Sequence, residues 1–330
     1  MAVRVGFLGV GWIGRHRMAA MLDTEVVEAV AIADPAREMI AEAVKFAPNA
    51  AVVTGLDELL GLNLDGIVIA TPSALHADQS IAALEAGVAV FCQKPLGRNA
   101  AEAARVVAAA RTANRLLGVD FSYRHTAAMQ AIAPLVQGGA LGRIQAVDLV
   151  FHNAYGPGKT WFYDRAQSGG GCVMDLGVHL VDLALWCLSY PDIGDVSAQL
   201  FAEGEPMRTG SDAVEDLALA TIRLGSTAVR LACSWQLHAG REAEIAATFY
   251  GTQGAVRLAN VGGSFYDFTA ERFDGTASTT LVSPPDEWGG RAAAAWAKRL
   301  AQDPGFDPEA ERLVTVSRLI DSIYLAGERG

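Results

Sequence analysis

Basic residues are in short supply in this chain, and lysine above all. Among 330 residues, 26 are Lys or Arg against 37 Asp or Glu, a net charge of −11, and only four are lysines (Lys45, Lys94, Lys159 and Lys298). That balance leaves no basic footprint for nucleic acid or an anionic membrane surface. It also mildly disfavours strongly anionic substrates, unless a local pocket overrides the global field. The four cysteines, Cys92, Cys172, Cys187 and Cys233, show no CxxC spacing and no paired framework. A disulfide scaffold is therefore not indicated, and free thiols in a reducing compartment are expected. No apolar run reaches the length of a membrane span. A strand opening at Val3 leaves no room for a signal peptide, so the expected location is the cytoplasm. Hydrophobic residues at 51% and charged residues at 19% argue against disorder. There is no internal repeat, and no low-complexity tract beyond general alanine richness.

What is present begins with an apolar strand, Val3–Leu8, running into Gly9-Val10-Gly11-Trp12-Ile13-Gly14. Glycine lets the backbone turn tightly where a phosphate must approach, and the helix opening near Ile13 aims its N-terminal amides at that phosphate. The next strand closes on Asp34, 20 residues past Gly14, where a carboxylate hydrogen-bonds an adenine ribose. A lone GxGxxG is weak; a strand before it, a helix after it and an acid at this distance predict a nicotinamide dinucleotide site. The charge of Asp34 should repel a 2′-phosphate, which favours NAD over NADP, with Arg37 as the countervailing feature.

Residues 3–121 continue as apolar strands alternating with amphipathic helices, the pattern of a parallel sheet covered on both faces. Strands are predicted at Val26–Ala33, Ala51–Val53, Ile67–Ala70, Ala89–Cys92 and Leu116–Phe121. Ligands bind at the carboxyl ends of such strands. That rule gathers the glycine loop, Asp34, Thr71-Pro72-Ser73, Gln93-Lys94-Pro95 and Tyr123-Arg124. After Phe121 the pattern changes to longer strands with short turns, for example Leu217–Leu224 and Ala228–Trp235, which predicts antiparallel pairing. The expected architecture is α/β. It comprises an N-terminal Rossmann dinucleotide-binding domain over 1–122 and a C-terminal α+β domain with a largely antiparallel open sheet over 123–330. Two closing helices, Arg291–Ala301 and Pro308–Ala326, should pack back on the body. An antiparallel sheet covered by helices on one face needs a partner on the other, so a homodimer or homotetramer is expected.

Chemistry concentrates in Gly169-Gly170-Gly171-Cys172-Val173-Met174-Asp175-Leu176-Gly177-Val178-His179. On a predicted helix Asp175–Leu188, Asp175 and His179 are four apart and project from one face. Histidine titrates near neutrality and suits proton transfer, with a carboxylate to orient it. Spacing alone fits a structural Asp–His helix pair equally well, and it is thin support for zinc, so no metal is expected. Lys94, directly after a strand and before Pro95, can hydrogen-bond a substrate oxygen on which negative charge develops. A plain turn is the alternative for such a Lys-Pro pair.

Together these segments resemble the glucose–fructose oxidoreductase/inositol dehydrogenase family, Gfo/Idh/MocA, over essentially the whole chain. The resemblance rests on the early glycine loop, Ala70-Thr71-Pro72-Ser73-Ala74-Leu75-His76, Phe91-Cys92-Gln93-Lys94-Pro95-Leu96, Ser168-Gly169-Gly170-Gly171, Asp175-Leu176-Gly177-Val178-His179 and a terminal helix with Tyr324. It implies NAD(P)-dependent oxidation or reduction of sugars, cyclitols and related polyols, and it implies that Lys94, Asp175 and His179 are the catalytic set. The chain departs from the family at Gln93, where glutamate is usual, so a negative charge beside Lys94 is missing. The family also holds glycosidases that use NAD for transient oxidation and non-catalytic nucleotide-sensing regulators, the two alternative readings. Around the expected site, Gly9, Gly11, Trp12, Ile13, Gly14, Asp34, Thr71, Pro72, His76, Gln93 and Lys94 are the candidate cofactor contacts, His76 being equally a candidate structural hydrogen bonder. For substrate, Arg124 is either a contact or half of a salt bridge. His152, Tyr155, Trp161 and Phe162 either wall a sugar pocket or anchor a loop, and Trp235 and His238 either complete that wall or face an oligomer interface.

Overall fold

Strands whose every residue is apolar need cover on both faces, and the first third of the chain provides it. The computed structural model describes residues 2–208 and 210–328. It divides into two compact units, one running to Ser122 and including Gly289–Val314, the other Tyr123–Trp288 and the residues from Thr315 on.

In the first unit, β1 (Val3–Leu8), β2 (Val27–Ala33), β3 (Ala51–Val52), β4 (Gly66–Ile69), β5 (Ala89–Cys92) and β6 (Leu117–Val119) form one sheet. Its order is β3-β2-β1-β4-β5-β6 and every pairing is parallel. Strand order reverses between β1 and β4, and the crevice outside the carboxyl ends at such a switch point is where open α/β sheets bind ligands. The connections are helices α1 (Trp12–Leu22), α2 (Arg37–Val44), α3 (Leu56–Leu60), α4 (Ser73–Glu85) and α5 (Ala100–Ala113). Asn99 caps α5 by accepting from the amide of Glu102, and Asn114 ends it in the left-handed region.

The second domain was expected to hold all of 123–330; instead Gly289–Val314 returns to the first unit. The helix Arg291–Gln302 explains this. Ala292, Ala293, Trp296, Ala297 and Leu300 recur at helical spacing and are buried in the same core as Val5, Phe7 and Phe91. The rings of Phe91 and Trp296 lie 5.7 Å apart. Glycines make the space: a Cβ at Gly118 would fall 2.6 Å from Trp296, and one at Gly66 2.7 Å from both Trp296 and Leu300.

The second unit opens with α6 (Ala127–Gln137) and β7 (Ile144–Asn153), followed by the short α7 (Arg165–Ser168) and α8 (Val178–Cys187). Next come β8 (Ile193–Ala202), β9 (Glu205–Pro206), β10 (Leu217–Leu224), β11 (Thr227–Ser234), β12 (Ala243–Gly251), β13 (Gly254–Asn260), β14 (Phe268–Asp274) and β15 (Ala277–Val282). The sheet order is β15-β14-β13-β12-β7-β11-β10-β8-β9, antiparallel throughout except for the parallel pair β7 and β11. Strands β9, β14 and β15 are absent from the sequence reading. β15 reads Ala-Ser-Thr-Thr-Leu-Val and is exposed along nearly its whole length, so it lacks the alternation that marks a half-buried strand.

The predicted helix Asp175–Leu188 is two structures. Val173–Gly177 is a π-helical turn in which the amide of Val178 bonds to the carbonyl of Val173, and α8 continues from it. The stretch Arg165–Cys187 is long and apolar enough by composition to cross a membrane, contrary to the expectation that no apolar run reaches that length. It is a core segment, 89% of its apolar window lying inside the protein.

Candidate functional site

On the first unit the glycine loop is built by close backbone approach. Gly9 has φ +83°, and a Cβ there would sit 2.6 Å from the carbonyl oxygen of Ala70. A Cβ on Gly14 would collide with the carbonyl of Gly9, so that glycine lets α1 lie against the strand end. Helix α1 starts with Gly11 as its N-cap. No side chain caps it and no acid stands in its first turn. Those amides and the positive end of the helix dipole therefore fit an incoming phosphate. Trp12 and Ile13 are exposed beside the loop, Trp12 packing on His16 with ring centroids 4.3 Å apart. Asp34 accepts from the amide of Val10 at 2.8 Å through Oδ2 and from Ala36 at 2.9 Å through Oδ1. It thus braces the loop, and a carboxylate so used keeps lone pairs for ribose hydroxyls. The residues present fit a dinucleotide.

The remaining strand ends of this unit form a second cluster. Pro72 is the N-cap of α4, and Thr71 Oγ1 donates to Gln79 Oε1 at 2.6 Å. His76, read either as a cofactor contact or as a structural hydrogen bonder, is buried, and its two ring nitrogens lie 2.7 Å and 2.8 Å from the carbonyls of Pro95 and Thr71. Its ring ties the Thr71 loop to the Lys94–Pro95 loop. Burial pushes its pKa down, against the pull of those carbonyls. Gln93 donates to the carboxylate of Asp120 at 2.6 Å. Cys92 is buried at the strand end, its thiol pushed up to about 12 by burial, so it is unreactive.

On the second unit the glycine run is held by a buried acid that sequence reasoning missed. Glu215 accepts from the amides of Gly171 (3.0 Å) and Val173 (2.9 Å) and from the hydroxyl of Tyr324 (2.9 Å). A Cβ at Gly171 would strike the main chain of Glu215, and one at Gly170 the Tyr324 hydroxyl. Glycine is required there because Glu215 and Tyr324 fill the space. Burial raises the pKa of Glu215, partly offset by its donors. Its partners lie 42–109 residues away in sequence, so no local signal could have found it.

That anchored turn carries Asp175 and leads into His179. Asp175 Oδ2 accepts from the indole of Trp235 at 3.2 Å. His179 is 8% exposed, its ring 4.8 Å from that of Tyr123. Tyr123 in turn packs on Phe151, Phe268 and Trp288. Trp161 stacks on Phe162 at 3.8 Å, and Phe162 and Tyr163 both meet Trp235 edge-on. The structure therefore gathers Asp175, Trp235, Phe162 and Trp161 into one aromatic group. Tyr155 stands elsewhere, exposed and 6.1 Å from Phe265. His152 bonds Ser234 Oγ at 2.8 Å, and burial lowers its pKa. Arg124 is engaged by protein: Nε donates to Asp182 at 2.7 Å, its Nη2 to Asp182 and to the Tyr190 hydroxyl, and the guanidinium lies over Trp186. Of its two readings the salt bridge is the one observed, though with a buried acid rather than at the surface.

Residues 3–121 match the model for the oxidoreductase family with an NAD-binding Rossmann fold, and residues 129–257 match the GFO/IDH/MocA C-terminal domain. The chain belongs to the Gfo/Idh/MocA oxidoreductase family. Its first unit is thus an NAD(P)-binding Rossmann domain. Among curated relatives, 1,5-anhydro-D-fructose reductase of Ensifer adhaerens is 32% identical over 63% of this chain, a match spanning 61% of that protein. Levoglucosan dehydrogenase of Pseudarthrobacter phenanthrenivorans is 27% identical over 77% of this chain and 73% of its own length. A levoglucosan dehydrogenase structure with NADH and levoglucosan superposes with TM-score 0.84 at 22% identity, covering 100% of this chain and 98% of that one. KijD10, a 3-ketoreductase from Actinomadura kijaniata in complex with NADP and TDP-benzene, gives 0.83 at 21% over 99% and 98%. At such identities the structures establish the shared fold.

Proposed function

We propose that this protein is an NAD-preferring oxidoreductase that interconverts an alcohol and a carbonyl on a sugar, cyclitol or related polyol, and that it works as a homo-oligomer. The observation that carries the reading is the anchored turn. Asp175 is oriented by the Trp235 indole, and His179 follows it on a helix whose start is fixed by Glu215. In the oxidative direction His179 accepts the hydroxyl proton, Asp175 orients the imidazole or the substrate, and Lys94 hydrogen-bonds the reacting oxygen as its charge changes. NAD(P), when bound, supplies the hydride chemistry. Gly9, Gly11, Trp12, Ile13 and Gly14 would hold its pyrophosphate, and Asp34 the adenosine ribose. The rings of Trp161, Phe162 and Trp235 suit the apolar face of a sugar. The names of the relatives, an anhydrofructose reductase and a levoglucosan dehydrogenase, support the same substrate class.

The test is a panel of sugars and inositols with NAD and NADP, followed by absorbance of the reduced cofactor. At least one polyol should turn over, with a higher kcat/KM for NAD than for NADP. A preference for NADP would overturn the role given to Asp34, and a panel without cofactor-linked turnover would overturn the activity.

A further inference from the structure

Positions 93 and 120 are the first residues beyond a matched pair, Cys92 on β5 and Val119 on β6, so they emerge side by side at the carboxyl end of the sheet. The amide of Asp120 donates to the carbonyl of Cys92 at 3.0 Å, and that of Gln93 to Ile69 at 2.9 Å, which fixes both stems. Gln93 Nε2 then donates to Asp120 Oδ2 at 2.6 Å, and the same oxygen accepts from Arg17 Nε, also at 2.6 Å. Asp120 is 1% exposed and Arg17 7%. Its other oxygen, Oδ1, is buried without a hydrogen-bond partner. A buried carboxylate with half its acceptors unused is an unfavourable way to join α1, β5 and β6 if joining were its whole task. A neutral amide at 120 could still accept from Arg17 but would leave that buried guanidinium without its counter-ion. The carboxylate at 120 thus answers Arg17, and the same oxygen also holds the Gln93 amide at the strand end.

We propose that Asp120 is a positioning residue for the Gln93-Lys94-Pro95 segment, and that Gln93 and Asp120 form a matched donor–carboxylate pair that keeps one carboxylate there, ion-paired to Arg17. An amide is required at 93 because the charge already stands at 120. A carboxylate at 93 would face that of Asp120, and two such groups at hydrogen-bond distance cannot both ionise but share a proton. The glutamine at position 93 is accounted for in this way, and the carboxylate missing from 93 stands on its neighbour, where it is paired with Arg17. The inference rests on the proposed role of Lys94 only where it concerns turnover; the pairing itself is read separately.

The experiment compares Gln93→Glu, Asp120→Asn and the double exchange, which reverses the pair while keeping one carboxylate. Melting temperature and NADH binding by fluorescence need no substrate and read the pairing. The pH profile of kcat on the substrate found by the panel reads the effect on Lys94. Gln93→Glu should lose kcat by roughly 10-fold or more as pH rises, as the shared proton is lost, and should melt lower. Asp120→Asn should lose kcat by roughly 10-fold with NADH affinity within about 3-fold of wild type. The double exchange should recover most of both losses, the non-additivity expected of residues in direct contact. Losses that simply add in the double variant, or a Gln93→Glu enzyme with wild-type melting and an unchanged pH profile, would overturn the pair. If melting temperatures are rescued while kcat is not, the pair exists but does not position Lys94, and the proposal fails in its functional part. Lys94→Ala run alongside separates the two readings: full turnover there removes the lysine's role and leaves the melting cycle to judge the pair.

Discussion

The ring of His179 packs against Tyr123, with the aromatic group of Phe151, Phe268 and Trp288 behind that tyrosine. Such packing holds an imidazole in one orientation, as a general base requires before substrate arrives. Replacing His179 with alanine should lower kcat by roughly 10²–10⁴-fold, the usual worth of a positioned base, with NADH binding little changed. Near-normal turnover in that variant, measured on the true substrate, would move the proton elsewhere. At this scale the sequence disclosed residues whose signal is local. The glycine loop and Asp34 stand out by spacing, while Asp175 and His179 were singled out on a continuous helical period that the π turn at Val173–Gly177 interrupts. Residues whose meaning depends on distant partners stayed hidden. Arg17 and Asp120 are 103 positions apart, and Glu215 and Tyr324 are 109 apart. His76 and Arg124 were visible, but whether a polar side chain meets ligand or protein is decided by packing. Both meet protein.

The turn that carries Asp175 depends on an ionisable anchor, so its stability should respond to pH. Burial raises the pKa of Glu215 above the ordinary carboxyl range. A raised value means the folded state binds the proton more readily than the unfolded one. The favourable contribution is therefore complete below the unfolded pKa of about 4.3 and is lost as pH rises through the folded value. Glu215→Gln has no such proton to lose. The melting temperature of wild type minus that of Glu215→Gln should accordingly fall between pH 4 and pH 7, and a gap constant across that range would show that the residue is not shifted. Gly171→Ala offers a second check on the element. Its Cβ would press on the Glu215 main chain, so a clear drop in melting temperature is expected, by about 2–4 °C for each ~1 kcal/mol lost. The alternation of strand and helix in residues 3–121 was legible because each element repeats its own period. The π turn was not, since one extra residue in a turn leaves the apolar pattern of so uniformly buried a segment unchanged. Strand β15 was missed for the opposite reason, since it carries no apolar alternation to read.

Across the second unit, the register brings one row of small apolar side chains to a common level on five adjacent strands. Leu219 pairs with Ala232, Ala232 with Val150, Val150 with Ala246 and Ala246 with Ala259. These residues alternate with the buried Ala218, Ala220, Val229, Leu231, Val147, Leu149, Ile245 and Ala247, so they lie on the opposite face of the sheet. Leu219 is 42% exposed, whereas Ala246 is already covered by its neighbours, and short side chains make the row flat. The next row is polar but internally matched, with Arg230 bonded to Asp148 at 2.7 Å and 2.6 Å. A flat apolar stripe beside neutralised charges is a surface that a second copy of the same sheet can cover, which is the physical content of the expected homo-oligomer. The strand pattern alone implied such a face, but the alignment of five side chains in one row depends on a register that includes the parallel pairing of β7 with β11, which strand periodicity does not specify. Light scattering at micromolar concentration should therefore give the mass of a dimer or tetramer. Ala232→Arg, at the middle of the stripe, should shift that mass toward the monomer without altering the far-ultraviolet spectrum, because the side chain enters no core. A wild-type monomer would remove the sheet face as an interface. An unchanged oligomer in Ala232→Arg would place the interface on another surface.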